Sequence, residues 1–154
     1  MKYLVAALLC VILLLGGYIA YSQGLLNRFV DPKLVQICEG LVKDRLRSPS
    51  TYRRIKVTQY SEAVSLEKAR ALDPKMTQTE VRAITEGRAK PTNFQVFITF
   101  EAANAFGTPV SGLSLCEYYS AFGDDTYASK FSVKIDGKTS TDWLIEGITA
   151  GKKK

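Results

Sequence analysis

The stretch NFQVFITFEAANAFGTPVSGLSLCEYYS, residues 93–120, decides the fold class of this chain. Apolar side chains alternate with polar ones over 94–102, which is the period of a half-buried β-strand. Residues 104–109 are rich in turn formers, and the alternation resumes over 113–119. Two alternating segments joined by a short turn predict an antiparallel hairpin.

The turn of this hairpin supplies four candidate binding residues, Asn104, Phe106, Gly107 and Pro109. We expect Asn104 and Gly107 to adopt positive φ and Phe106 to fold back onto the core, which makes the loop structural. The alternative is a ligand-binding hairpin tip, because loops on a rigid sheet often carry binding residues.

An amphipathic helix is predicted ahead of the hairpin. Asp31 is a good N-cap and Pro32 suits the first helical turn, while Pro49 disfavours helical geometry in the residue before it. Apolar side chains recur between these points at helical spacing. They include Leu34, Cys38, Leu41 and Val42. Such a helix needs an apolar surface to cover.

Residues 53–72 are expected to continue with a strand and then a helix. The strand is predicted over 53–60, with Ile55 and Val57 on its buried side because they alternate with polar residues. Helical composition follows over 62–72. This middle part of the chain is polar, and we expect it to pass over the sheet.

Shorter signals predict the other elements. Residues 77–80 form a capping box that begins a helix, and Gly87 is its expected stop. A strand is predicted over 131–135, running into an Asp136-Gly137 turn. Residues 143–148 fit either a last strand or one turn of helix.

The order of these elements predicts an α+β domain over residues 28–150. An amphipathic helix would pack on one face of a small antiparallel sheet of three to five strands. A domain of this length can bury a core without metals or many disulfides.

The N-terminal segment predicts a membrane anchor, residues 1–27. Residues 3–27 contain no charged side chain, and an apolar run of about 20 residues is long enough to cross a bilayer as a helix. We expect residues 3–26 to stay in the inner membrane as a single-pass signal anchor, with the domain in the periplasm or outside the cell. The alternative is a signal peptide cleaved before Gln23.

Three cysteines bear on the compartment. Cys10 lies in the apolar run and is expected to pack there. Cys38 on the predicted helix and Cys116 on a predicted strand are candidates for a disulfide, which would suit an oxidising space. The alternative is two buried free thiols in a cytoplasmic protein.

The whole chain has a net charge of +6, and its positive charge is concentrated in one part of the sequence. The predicted basic patch consists of Lys43, Arg45, Arg47, Arg53, Arg54 and Lys56, and a basic tail follows at 151–154. Such a patch can meet anionic lipid headgroups, nucleic acid or an acidic protein face. The alternative is a set of solvated side chains, which is the usual state of surface Lys and Arg.

The sequence predicts no catalytic, metal or cofactor site. Histidine is absent, which removes the commonest general base and metal ligand. We therefore expect a membrane-anchored, noncatalytic envelope protein that binds a protein partner or an anionic membrane surface. Two alternatives stay open: an exported soluble enzyme or ligand-binding protein, and a cytoplasm-facing nucleic-acid binder.

Two segments resemble a group of small bacterial and phage domains of unknown function. Residues 46–51, Leu-Arg-Ser-Pro-Ser-Thr, follow the predicted helix, and residues 100–110 carry an Asn-x-Phe-Gly turn ahead of Cys116. Members of the group pair a helix with a similar stop and a hairpin with a similar turn. The resemblance implies that arrangement and carries no activity.

Overall fold

The computed structural model describes residues 31–151. The predicted membrane anchor, 1–27, and the lysines at 152–154 lie outside the described residues. Between 31 and 151 no helix is both long and apolar enough to cross a membrane.

Four helices and five strands make up the described part of the chain. In chain order they are α1 Lys33–Arg45, β1 Arg53–Ala63, α2 Leu66–Leu72, α3 Gln78–Thr85, β2 Thr92–Ala103, β3 Pro109–Ser120, β4 Lys134–Ile135, β5 Lys138–Thr139 and α4 Ser140–Gly151. A 3-10 turn, Pro49–Thr51, joins α1 to β1. The strands form one sheet in the order β1-β2-β3-β4-β5, each antiparallel to the next. The predicted α+β class and antiparallel sheet are confirmed.

Helix α1 packs on one face of this sheet. Leu34 and Cys38 are fully buried on the helix, and Val96 and Ile98 are fully buried on β2. All belong to one apolar cluster that also takes in Val133 and Ile135 near β4. The helical and strand periods seen in the sequence therefore meet in a single core.

A disulfide joins Cys38 of α1 to Cys116 of β3, with their Cα atoms 5.8 Å apart. Both residues are fully buried. The predicted pair is confirmed, and the helix is covalently fixed to the third strand of the sheet.

Strand β1 departs from the predicted alternation at Ile55. The register against β2 shifts between Arg54 and Lys56, because a β-bulge leaves Ile55 without a partner. Ile55 is 49% exposed. Arg54 and Val57 lie opposite Phe100 and Ile98, on the face that α1 covers. The expectation that Ile55 and Val57 share the buried side was wrong.

Three other element predictions need correction. Residues 62 and 63 extend β1, so the helix expected over 62–72 begins at Leu66. The strand expected over 131–135 is reduced to Lys134–Ile135, and Phe131 is 70% exposed. Residues 143–148 lie inside α4. At the start of α4, the backbone N–H of Thr139 donates to the Asp142 carboxylate, and the backbone N–H of Asp142 donates to the Thr139 hydroxyl, as in a capping box.

The shortest sequence signals were confirmed. Thr77 and Glu80 form the expected capping box at the start of α3. Gly87, just beyond α3, has φ +70°, and the β4–β5 turn has φ +52° at Asp136 and +78° at Gly137. Positive φ at two central turn residues is the requirement of a type I′ hairpin.

Candidate functional site

The two segments that carry the family resemblance lie side by side. The Thr51 hydroxyl donates to the Ser48 carbonyl oxygen and accepts the backbone N–H of Ala103, both at 2.8 Å. Thr51 thereby holds the turn after α1 against the end of β2, beside the β2–β3 loop. We call this region, Ser48–Arg53 together with Ala103–Val110, the hairpin end of the sheet.

The loop at the hairpin end is held by its own hydrogen bonds. Asn104 Oδ1 accepts the backbone N–H of Phe106 at 2.9 Å and that of Thr108 at 3.1 Å. Two backbone bonds close the same loop, Asn104 N–H to Thr108 and Gly107 N–H to Asn104. A loop ordered in this way has already lost most of its conformational entropy on folding.

Phe106 is displayed by this loop and does not return to the core. It is 91% exposed, so the expectation that it folds back was wrong. Gly107 has φ +78°, as expected, but Asn104 does not have positive φ. Asn104 acts through its side-chain oxygen, which bonds the loop without a change of backbone region.

An open depression of about 300 Å³ lies beside the loop. It is lined by Thr51, Arg53, Glu101, Ala102, Ala103, Gly107 and Pro109. Arg53 belongs to the predicted basic patch, and Gly107 and Pro109 belong to the predicted loop site. The fold therefore brings part of each predicted site to one place. Arg53 Nη2 is 2.5 Å from Glu101 Oε2, and the Arg53 side chain is 70% exposed.

Two cations of the basic patch pair with a carboxylate between α1 and the sheet. Arg54 forms two hydrogen bonds to Glu39, with Nε donating at 3.1 Å. Lys43 Nζ lies 3.5 Å from the same carboxylate and 4.5 Å from the centre of the Tyr52 ring. Tyr52 in turn stacks on Phe100. These charges serve the internal packing of the domain.

Burial and charge determine the ionisation of this cluster. Burial alone would raise the pKa of Glu39, but the Arg54 hydrogen bonds and the charges of Arg54 and Lys43 lower it overall. Burial, followed by the Glu39 charge, raises the pKa of Tyr52. At neutral pH the cluster therefore holds an ionised Glu39 beside a protonated Tyr52.

The other patch residues point in different directions. Arg45 donates to the carbonyl oxygens of Ile135 and Lys138, at 2.7 and 2.9 Å, and so ties α1 to the β4–β5 turn. Arg47 and Lys56 are exposed and form no ion pair with any residue between 31 and 151. The patch thus has two uncommitted cations rather than six.

A comparison with protein-family models, curated proteins and solved structures finds no match. Within the described part of the chain, no three His, Cys, Asp or Glu side chains are grouped so as to hold a metal ion.

Sequence reasoning did not anticipate the contact between Thr51 and Ala103. Residues 52 positions apart meet only because β1 and β2 pair in one particular register. Asn104 did carry a usable signal, because an Asn followed two residues later by a loop amide is a common side-chain turn.

Proposed function

We propose that the chain is a membrane-anchored, noncatalytic envelope protein whose domain binds a protein partner outside the cytoplasm. Residues 1–27 would hold it in the membrane, and the hairpin end would contact the partner. The proposal depends above all on the disulfide between Cys38 and Cys116.

The disulfide supports a location outside the cytoplasm. Structural disulfides persist in oxidising compartments and are rare where thioredoxin and glutathione keep thiols reduced. The bond is buried, so it is a structural element rather than an exposed exchange centre. An oxidising compartment is where the domain of an N-inside signal anchor would lie.

The hairpin end supports protein binding. Phe106 exposes almost its whole ring at the tip of a loop whose conformation is already fixed. Aromatic residues often dominate the binding energy of protein interfaces, and a preorganised loop loses little entropy when it binds. The neighbouring Arg53–Glu101 pair provides a polar rim beside the aromatic group.

The location is tested with alkaline phosphatase fused after Lys154 and with thiol labelling of the unreduced chain after denaturation, which exposes buried thiols. We expect an active fusion and a single reactive thiol before reduction, that of Cys10. An inactive fusion together with three reactive thiols would place the domain in a reducing compartment and overturn the proposal.

The partner is tested by photo-crosslinking in the native membrane. A benzophenone amino acid at position 106 should capture one specific protein. The matched control is position 127, where Tyr127 is 78% exposed in the segment after Ser120, at the opposite end of the sheet. Equal capture from both positions, or none from position 106, would exclude the hairpin end as the binding surface.

A further inference from the structure

A second cavity lies on the sheet face opposite α1. Its volume is about 270 Å³, and it is lined by Leu72, Asp73, Asn93, Glu117, Tyr118, Tyr119, Ser132 and Lys134. Asn93 and Tyr119 are directly paired across β2 and β3, and Glu117 and Lys134 across β3 and β4. Paired residues share a face, so these four side chains point to the same side of the sheet.

Two polar side chains that line this cavity make no hydrogen bond to any residue between 31 and 151. Asn93 is 7% exposed, and the polar atoms of its amide keep a little open surface. The Tyr119 hydroxyl is buried and also unpartnered in the described structure. Buried polar groups are nearly always hydrogen-bonded, and exceptions need an explanation. A molecule bound in the cavity would supply partners to the Asn93 amide, whose polar atoms are open to it.

Two charges in the cavity are not paired. Glu117 and Lys134 lie opposite each other on β3 and β4, where opposite charges usually pair, but neither forms an ion pair with a residue between 31 and 151. Asp73, at the end of α2, adds a second carboxylate. The cavity therefore offers carboxylates for a cation and an ammonium group for an anion, the latter on the strand next to Glu117.

We propose that this cavity binds a small zwitterion of the free amino acid class. Glu117 and Asp73 would hold its ammonium group, Lys134 its carboxylate, and the Asn93 amide would complete the hydrogen bonds. The hairpin end takes no part in this site.

The size and protonation of the site agree with such a ligand. Liquid water occupies about 30 Å³ per molecule, so the cavity holds the equivalent of about nine waters, at the small end for ligand sites. Burial, then the charges of Asp73 and Glu80, raises the pKa of Tyr119 to about 12. Tyr119 thus keeps its proton and can both donate and accept a hydrogen bond.

The test uses the full chain in detergent and saturation-transfer NMR, with the twenty protein L-amino acids as probes. We expect at least one to bind with a Kd of about 1 mM or tighter. The decarboxylated amine and the deaminated acid of that amino acid should each bind about tenfold more weakly, because each lacks one charge-assisted contact.

Variants locate the binding. Glu117→Gln preserves size, Lys134→Gln removes the positive charge with a shorter side chain, and each should weaken binding about tenfold. Lys56→Gln and Glu67→Gln, exposed residues outside the cavity, should leave it unchanged, and thermal unfolding checks that every variant is folded. No binding at 10 mM, or binding that survives both cavity variants, would show that the cavity holds only water. That result would leave the protein-binding proposal untouched.

Discussion

At the scale of single residues, the pair formed by Glu39 and Arg54 is a well-buried ion pair between α1 and the sheet. Both side chains are largely buried, at 11% and 17% exposed. Desolvation makes a buried pair weak evidence of net stability, but removing one partner leaves the other charge with less compensation.

We predict that Glu39→Gln destabilises the domain by about 3 kcal/mol at pH 7. Glu101→Gln is the matched control. Its partner Arg53 is 70% exposed, so the loss should be about 1 kcal/mol or less. Urea unfolding followed by the fluorescence of Trp143, the single tryptophan, measures both. Equal losses in the two variants would contradict this assignment.

The same pair makes stability depend on pH. The pKa of Glu39 is lowered in the folded state, so ionised Glu39 makes its full contribution to stability above the ordinary glutamate pKa of 4.5. It is lost as the pH falls from there through the lowered pKa, because the unfolded chain then binds the extra proton. The difference in the free energy of unfolding between wild type and Glu39→Gln should therefore become smaller below pH 4.5.

Two glycines provide a contrast in backbone and packing effects. A Cβ atom at Gly112 of β3 would lie 2.5 Å from Phe100 Cζ, whereas one at Gly40 of α1 would meet nothing within 4 Å. Gly112→Ala should cost about 1–3 kcal/mol through overpacking. Gly40→Ala should stabilise by about 1 kcal/mol, since alanine is the better helix former. Thermal unfolding should show opposite shifts in Tm.

At the scale of elements, the disulfide contributes by closing a long loop. The two cysteines are 78 residues apart in sequence. The chain-entropy view assigns about 4–5 kcal/mol to a loop of that length. We predict a loss of this order in the Cys38→Ala/Cys116→Ala double variant. Cys10→Ser is the control and should leave the unfolding free energy unchanged; a double variant as stable as wild type would show that the bond adds nothing.

The sequence predicted elements best where a local pattern was unopposed. The alternation over 94–102, the Thr77 capping box and the Asp136-Gly137 turn all appear as expected. Ile55 could not be placed, because a bulge shifts the register without changing the alternation of residue types. The Thr139–Asp142 cap, which marks the start of α4, was a signal available in the sequence.

The candidate sites were predicted less well, for a physical reason. Their residues lie on different elements, so their proximity follows from strand pairing and cannot be seen in local periodicity. Asn93 and Tyr119 illustrate this: 26 positions apart in the printed sequence, they become neighbours only through the β2–β3 register. The basic patch shows the converse, since residues close in sequence separate in the fold.

At the scale of the whole molecule, fewer patch cations are available to a binding partner than the sequence suggested, because four of the six patch residues bond within the domain. If an anionic membrane attracts the domain, Arg47 and Lys56 are the patch residues still available. We predict that Arg47→Gln/Lys56→Gln weakens binding of the full chain to vesicles containing phosphatidylglycerol by up to about thirtyfold, at about 1 kcal/mol per cation. Arg45→Gln should instead lower stability. Binding that is unchanged at low salt would exclude these two cations as lipid contacts.

The bond between Cys38 and Cys116 also has a mechanical consequence. A pulling force applied between the N-terminal side of α1 and the chain beyond Cys116 passes through the sulfur atoms directly to β3, the central strand of the sheet. The disulfide bypasses residues 39–115, which therefore bear no tension from this force. Such a force therefore does not load the hairpin end or most of the pairing between β1 and β2. It would load them only after the disulfide is reduced.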